Sequence, residues 1–416
     1  MAGHARDMHD IRLGLCRRMV EHARNGTTDV APGVMFNDVS VYTDPNRLEM
    51  EMQQLFHGMP QVVCLSSDLP EPGSYRLFDD TGVPIFVVRG KDGAVRAFLN
   101  ICRHRGARLV RTTEGRASRF TCRFHGWTYD TRGCAGAVAQ EAHFCSAIDK
   151  HKHLISCPAA ERHGLVFVKT VPGSSMDIDA HLGAFGAELA KLDLDEARKV
   201  CEGDLVVTCN WKYALDTYFE NYHFAALHKN SLAPLFPNTM SLYDTWGPHH
   251  RLVFPPREAW DWVNKPESQW RADTISTPYF IFPNTIVYLG SLKPDQAYVT
   301  TFRLYPRGIG EMVTRMTTYA PHGVDSAEYR VEVESAFRAL VKLVDEEDYS
   351  VTGESWRNFG FMPRGSNVVY GRQELAVQHA HRWFAKSLGV PEPDVVEGDA
   401  ANPAGSGSSQ RRSGHS

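Results

Sequence analysis

Two short segments, each holding one Cys and one His, restrict what this chain can fold into more than any other feature. The first reads Cys102-Arg103-His104-Arg105-Gly106 and the second Cys122-Arg123-Phe124-His125-Gly126-Trp127. Reduced to ligand types this is C-x-H, seventeen residues, C-x-x-H. Two thiolates and two imidazoles on two loops suit tetrahedral zinc, or a two-iron, two-sulfide cluster in which two His replace two Cys on one iron. The distribution favours the cluster, because each loop offers one Cys and one His and can reach both irons. Structural zinc more often takes a Cys pair from one hairpin and a His pair from a helix, and that pairing is missing here.

The stretch from Ala97 through Cys102, His104 and Gly106 to Ala107 resembles the terminal oxygenase component, the large alpha subunit, of Rieske non-haem iron oxygenases. So does the stretch from Cys122 to Tyr129. Rieske proteins of respiratory complexes are less similar. They carry two further Cys where this chain has Ala107 and Phe124, so no disulfide can clamp these loops. They also tend to have Ser at the place of Trp127, whose hydroxyl raises the cluster potential; its absence implies a potential toward the low end of the Rieske range, about −150 mV.

A length of 416 residues makes two domains the expectation. A net charge of −4 gives no support for nucleic-acid binding or an anionic membrane surface. Nine Cys without a disulfide-scaffold spacing, beside an oxygen-sensitive cluster, fit a reducing cytosol. No apolar run approaches the roughly 18 residues of a membrane span. Arg12, Arg17 and Arg18 interrupt the only apolar stretch near the N-terminus, which is therefore no signal peptide. A soluble, cytoplasmic protein is expected.

Apolar periodicity predicts a helix over 8–24 and a shorter one over 45–58. Strand patterns follow at 74–78, 83–89, 95–100 and 164–168, parted by turn residues. A helical pattern covers 179–192, and 205–209 could open a second unit whose residues 240–320 alternate as strands do. A long helix is expected over 326–348, striped by Tyr329, Val331, Ala336, Ala339, Leu340 and Leu343, and a last helix near 374–388. The division expected is an N-terminal helical segment (1–54), a [2Fe–2S] domain (55–172), a linker with a helix (173–203), a catalytic mononuclear iron domain (204–393) and a Gly/Ser-rich, disordered tail (394–416).

The second unit carries Asn210-Trp211-Lys212, Asp216, Glu220-Asn221-Tyr222-His223 and His228. Two imidazoles and one carboxylate form the facial triad of non-haem Fe(II) oxygenases, which leaves positions open for O2 and substrate. His223 and His228 would lie about 140° apart on an ideal helix, so the helix must bend or end between them. The string resembles the mononuclear iron motif of the same family. The resemblance implies that the third ligand is Asp348, from Glu347-Asp348-x5-Glu354, with Asp345 the alternative one turn earlier. A helix C-terminus rich in acid is unfavourable for the helix dipole, so the run Asp345-Glu346-Glu347-Asp348 asks for another explanation.

The resemblance further implies that Glu220 links His223 to a Rieske His of a neighbouring subunit. The family's usual residue there is Asp; branches acting on quaternary ammonium compounds also carry Glu. Asp216 could add to this network. Leu215, Phe219, Leu227 and Trp356 could wall a substrate pocket, and His249 and His250 are read as packing residues.

The fold implied is α+β: a Rieske antiparallel β domain and a helix-grip (START/Bet v 1-like) catalytic domain whose curved antiparallel sheet grips a long helix. The cofactors implied are one [2Fe–2S] cluster on Cys102, His104, Cys122 and His125, and one Fe(II) on His223, His228 and Asp348. The activity implied is mono- or dioxygenation of an aromatic or other hydrophobic compound, or oxidation of a quaternary ammonium compound such as a betaine. NAD(P)H electrons would arrive from a separate reductase or ferredoxin, since no G-x-G-x-x-G unit is present. A homotrimer, with or without a small beta subunit, is implied. Two other classes compete: a Rieske electron carrier with an inert second domain, and a zinc-stabilised binding protein.

Overall fold

A computed structural model describes residues 2–398 apart from 145, 292–295, 322 and 325. The short β-rich runs of the first half pair into three small antiparallel sheets. One has five strands in the order Ser156–Cys157, Val95–Leu99, Ile85–Arg89, Ser74–Phe78 and Glu114–Arg116. A second pairs Ala159–Arg162, Leu165–Val168 and Gln61–Leu65. The third pairs Arg119–Thr121, Thr128–Asp130 and Ala135–Ala137, and carries the second Cys/His loop.

The second half is dominated by a seven-stranded antiparallel sheet, ordered Arg198–Val207, Glu311–Ala320, Ala297–Gly308, Thr285–Ser291, Thr277–Ile281, His249–Val253 and Leu242–Trp246. The first domain docks on it through polar contacts. Tyr305 Oη–H donates to the Val62 carbonyl at 3.2 Å, the Arg303 guanidinium donates to that of Val63, and Arg315 pairs with Asp80 at 2.7 Å.

The long helix begins at Ala327, capped by the Ser326 hydroxyl accepting from the Tyr329 N–H at 3.1 Å. Its buried stripe is Tyr329, Val333 and Phe337, spaced four apart. Val331, expected in the stripe, points to solvent: it lies two residues from Tyr329, on another side of the helix. Nor does the helix end at the acidic run. It passes through one π-helical turn, Val344–Tyr349, and continues as α-helix over Ser350–Phe359. The acidic run is therefore not at a helix terminus, and the wider turn is the local feature that sets these carboxylates apart.

Three other expectations are corrected. The N-terminal segment is not all helical: Gly33–Asp38 is a strand between Asn367–Tyr370 and Asp394–Glu397. Residues 394–397 are thus ordered by pairing with a segment some 360 positions away, which local pattern cannot reveal. The rest of the expected tail, from 399 on, lies outside the described residues. The large sheet's first strand starts at Arg198, inside the stretch read as linker. Among the described residues no helix is long and apolar enough to cross a membrane.

Candidate active site

The two Cys/His loops are the same turn used twice. The Cys102 N–H donates to the Ala107 carbonyl and the Gly106 N–H to that of Cys102, at 2.8 and 2.9 Å. In the second loop Cys122 bonds Trp127 and Gly126 bonds Cys122, at 2.7 and 2.8 Å. Each turn closes on a Gly four residues after its Cys, with φ of 77° and 74°, where a side chain would be strained. Both thiols are buried, and the imidazole Nδ1 atoms of His104 and His125 stand 3.1 Å apart. Two sulfurs inside and two facing nitrogens outside fit a cluster with one thiolate-held and one imidazole-held iron.

The surroundings of the two His differ. The His104 ring stacks on Trp127, with 5.1 Å between centroids, and meets Phe144 edge-on. His125 is exposed, with Phe124 against its ring. Tyr129 was missed in the sequence. Its oxygen accepts the Arg103 N–H at 3.0 Å, which leaves its O–H to donate to Cys102 Sγ at 3.3 Å.

In the second domain a short helix, Trp211–Asp216, stops before Glu220. His223 sits in a single 3₁₀ turn, Tyr222–Ala225, and His228 follows outside it, so no helix carries both. His223, His228 and Asp348 each offer a ligand atom within 4.8 Å of the others. Both Nε2 atoms approach one oxygen, Asp348 Oδ1, at 3.4 Å for His223 and 3.2 Å for His228. Their Nδ1 atoms are held from behind by carboxylates. Glu220 takes His223, and Glu347 Oε2 takes His228 at 2.6 Å and the Ser231 hydroxyl at 2.8 Å. With Nδ1 protonated in this way, both Nε2 lone pairs face the same point, the arrangement that a cation needs.

Without a cation, the carboxylates hold protons on these imidazoles, and a metal ion binding here would displace them. Burial lowers the His223 pKa, but Asp348 and Glu220 outweigh it and hold it up at about 9. His228 is raised by Asp348 and Glu347 against the same burial. Burial raises Asp348, yet its two imidazole partners bring it below the usual carboxylate value. The alternative ligand, Asp345, is exposed and does not belong to this group.

Asn210, Trp211 and Lys212 do not touch this centre. Asn210 caps the short helix by accepting the Lys212 N–H at 3.0 Å. Trp211 Nε1 and Lys212 Nζ both donate to the fully buried Glu51, at 2.8 and 2.7 Å, and Arg47 completes the group at 3.1 Å. Asp216, also buried, accepts from Tyr42 Oη at 2.5 Å and lies 3.0 Å from His381 Nε2. The motif thus anchors the metal-bearing segment to the N-terminal and C-terminal parts of the chain.

A cavity of about 110 Å³ opens beside His223, His228 and Asp348. Phe224, Phe236, Phe254, Ile286, Phe302 and Leu343 give it an apolar wall, and among the described residues lining it there is no Lys or Arg. None of Leu215, Phe219, Leu227 and Trp356 lines it. Leu215 and Phe219 pack in the core and Trp356 lies against Gly310. His249 and His250 are buried packing residues.

Residues 59–158 match the Rieske [2Fe-2S] domain, and 192–389 match the ring hydroxylating alpha subunit (catalytic domain). The chlorobenzene dioxygenase subunit alpha of Cupriavidus sp. (strain PS12) is 31% identical over 363 residues, 72% of this chain and 80% of that protein. The glycine betaine monooxygenase oxygenase subunit of Chromohalobacter salexigens is 31% identical over 196 residues, 47% of this chain and 43% of its own. A quaternary ammonium Rieske monooxygenase crystallised with L-carnitine shares the fold at TM-score 0.72 and 18% identity, covering 86% of this chain and 96% of that one. Naphthalene 1,2-dioxygenase from Rhodococcus sp. does so at 0.67 and 17%, covering 90% and 98%. A catalytic domain joined to the cluster domain removes both the zinc-protein and the electron-carrier readings. The chain belongs to the Rieske ring-hydroxylating oxygenases as an alpha subunit, an oxidoreductase that uses a [2Fe–2S] cluster and a mononuclear iron.

Proposed function

We propose that this protein inserts oxygen into an uncharged, single-ring aromatic compound. The observation that carries the reading is the apolar cavity opening directly on His223, His228 and Asp348. Its volume of about 110 Å³ is of the order of the 150 Å³ apolar cavity that admits benzene. Aromatic substrates named for the relatives, benzene and chlorobenzene, are of that size.

Cys102, His104, Cys122 and His125 hold the cluster, and His223, His228 and Asp348 the iron. When bound, these groups supply single electrons and O2 activation. The chain's own residues do the rest. Glu220 and Glu347 fix the two iron-facing imidazoles, and the apolar wall keeps water away while presenting one edge of the ring. Electrons come from a separate reductase or ferredoxin in the cytoplasm, serving catabolism of aromatic compounds.

Glu220 bridges neighbouring chains of a homotrimer. Its carboxylate accepts from His223 Nδ1 and from the backbone N–H groups of Tyr222 and His223, which leaves one of about four acceptor sites free. The exposed His125 of the next subunit is a donor of the right kind. A ring closed by such head-to-tail contacts places each cluster beside its neighbour's iron.

Oxidation of a quaternary ammonium compound is the second reading, favoured by Glu at position 220 and by the betaine and carnitine enzymes among the similar proteins. Among the described residues lining the cavity there is no cation to pair with the carboxylate of such a substrate. The deciding experiment is anaerobic reconstitution with a surrogate reductase, then a screen of single-ring aromatics against betaines, reading O2 uptake and product mass together. Product from betaines alone overturns the aromatic reading.

A further inference from the structure

The cavity wall contributed by the large sheet is one face of paired strands. Ile286 and Tyr288 alternate onto that face, Phe302 stands opposite Ile286, and Pro278 opposite Tyr288. All are apolar there except Tyr288 and its neighbour Ser276. Ser276 Oγ–H donates to the Tyr288 oxygen at 3.3 Å, and the Tyr298 ring stands beside that of Tyr288, with 6.1 Å between centroids. Gly290 makes room for this pair of rings, since a Cβ there would come within 2.5 Å of Tyr298 and 2.7 Å of Tyr288. With its oxygen accepting from Ser276, Tyr288 keeps its own proton unassigned among the described residues. Burial raises its pKa, so that proton stays in place at neutral pH. Tyr288 lies deep in the protein yet retains accessible surface, because it faces the cavity.

The geometry points to Tyr288, set by Ser276 and Tyr298, as a hydrogen-bond donor that selects substrates carrying one uncharged acceptor on the ring, such as a hydroxyl, methoxy or carbonyl oxygen. This rests on the cavity being the substrate site. A chamber with a mainly apolar wall discriminates weakly between hydrocarbons differing by a methylene, whereas a placed donor left unpaired penalises a ligand that lacks the acceptor. The iron-facing residues come from the 220–228 segment and the long helix, and Tyr288 from the sheet. A substrate held by its substituent at Tyr288 therefore has its position over the metal set from the sheet side, so Tyr288 fixes orientation as well as choice.

The test uses the holoenzyme, anaerobic and with its cluster oxidised, so that no turnover occurs. Binding of anisole and of ethylbenzene, which have nearly the same shape, is read by headspace partitioning in wild type, Tyr288→Phe and Ser276→Ala. Tyr288→Phe should weaken anisole relative to ethylbenzene by roughly two- to ten-fold, the span of one net hydrogen bond, and leave ethylbenzene unchanged. Ser276→Ala should shift the ratio in the same direction by less. An unchanged ratio in Tyr288→Phe, with both ligands still bound, overturns the donor assignment and leaves the cavity reading standing. Failure of wild type to bind either ligand overturns the cavity reading, and the donor assignment with it.

Discussion

His228 Nδ1 lies 2.6 Å from Glu347 Oε2, so the residue beside the expected carboxylate ligand holds one of the two imidazoles in place. Glu347→Gln should lower affinity for the mononuclear iron by about 10–100-fold. Asp345→Asn, on the exposed side, should leave it unchanged. Competition with a chelator of known strength measures both; equal affinities in the two variants would contradict the geometry.

Full metal content should be three irons and two acid-labile sulfides per chain. Replacing His223, His228 or Asp348 by Ala should remove one iron, because a lost ligand weakens the site strongly, and abolish product. The Rieske EPR signal of the reduced protein should survive in all three. One zinc per chain without labile sulfide would sink the assignment.

Tyr129→Phe removes the hydroxyl that donates to Cys102 Sγ. A hydrogen bond to a cluster sulfur favours the more negatively charged, reduced form, so its loss should lower the midpoint potential. Protein-film voltammetry reads the shift. An unchanged potential would mean that the hydroxyl does not reach the sulfur in the loaded cluster.

Glu220→Gln keeps the size of the proposed bridge and loses its charge. Both metals should remain and the cluster should still be reducible, while cluster reoxidation in a single turnover should slow by about 10–100-fold. A normal rate, or full activity in a monomer by light scattering, would rule the bridge out.

Glu51→Gln leaves the buried Lys212 ammonium without its counter-charge. Burial already lowers the Lys212 pKa, and Glu51 is what opposes it. Breaking such a pair costs about 3–5 kcal/mol, and the double variant Glu51→Gln with Lys212→Met should recover much of it. Thermal melting of the three proteins provides the check.

What the sequence made legible follows the range of each interaction. The cluster loops could be read because their ligands lie within four residues of a turn-closing Gly; the two iron-facing His, five apart, needed the resemblance of the surrounding string to a family motif. Asp348 needed a family resemblance, since an acidic run gives no hint of the π-helical turn that buries Asp348 and leaves Asp345 and Glu346 exposed. The cavity wall was not legible, because sequence neighbours of the ligands such as Leu215 and Phe219 do not line it. Among its members, Ile286 and Phe302 meet through sheet register, and Phe254 joins them just past the end of another strand. Glu51 and Tyr42 were invisible for the same reason: their partners lie some 160 residues or more along the chain.

The anchoring of Lys212 on Glu51 and of Asp216 on Tyr42 bears on how this protein can be cut. Both matched family regions begin after these two partners, at residues 59 and 192. A fragment trimmed to either boundary would shed Glu51 and Tyr42. The catalytic half would then hold one ammonium and one carboxylate in its interior with their main partners gone. The smallest piece of the chain that can keep the mononuclear centre intact therefore reaches back across the whole cluster domain into the first fifty residues.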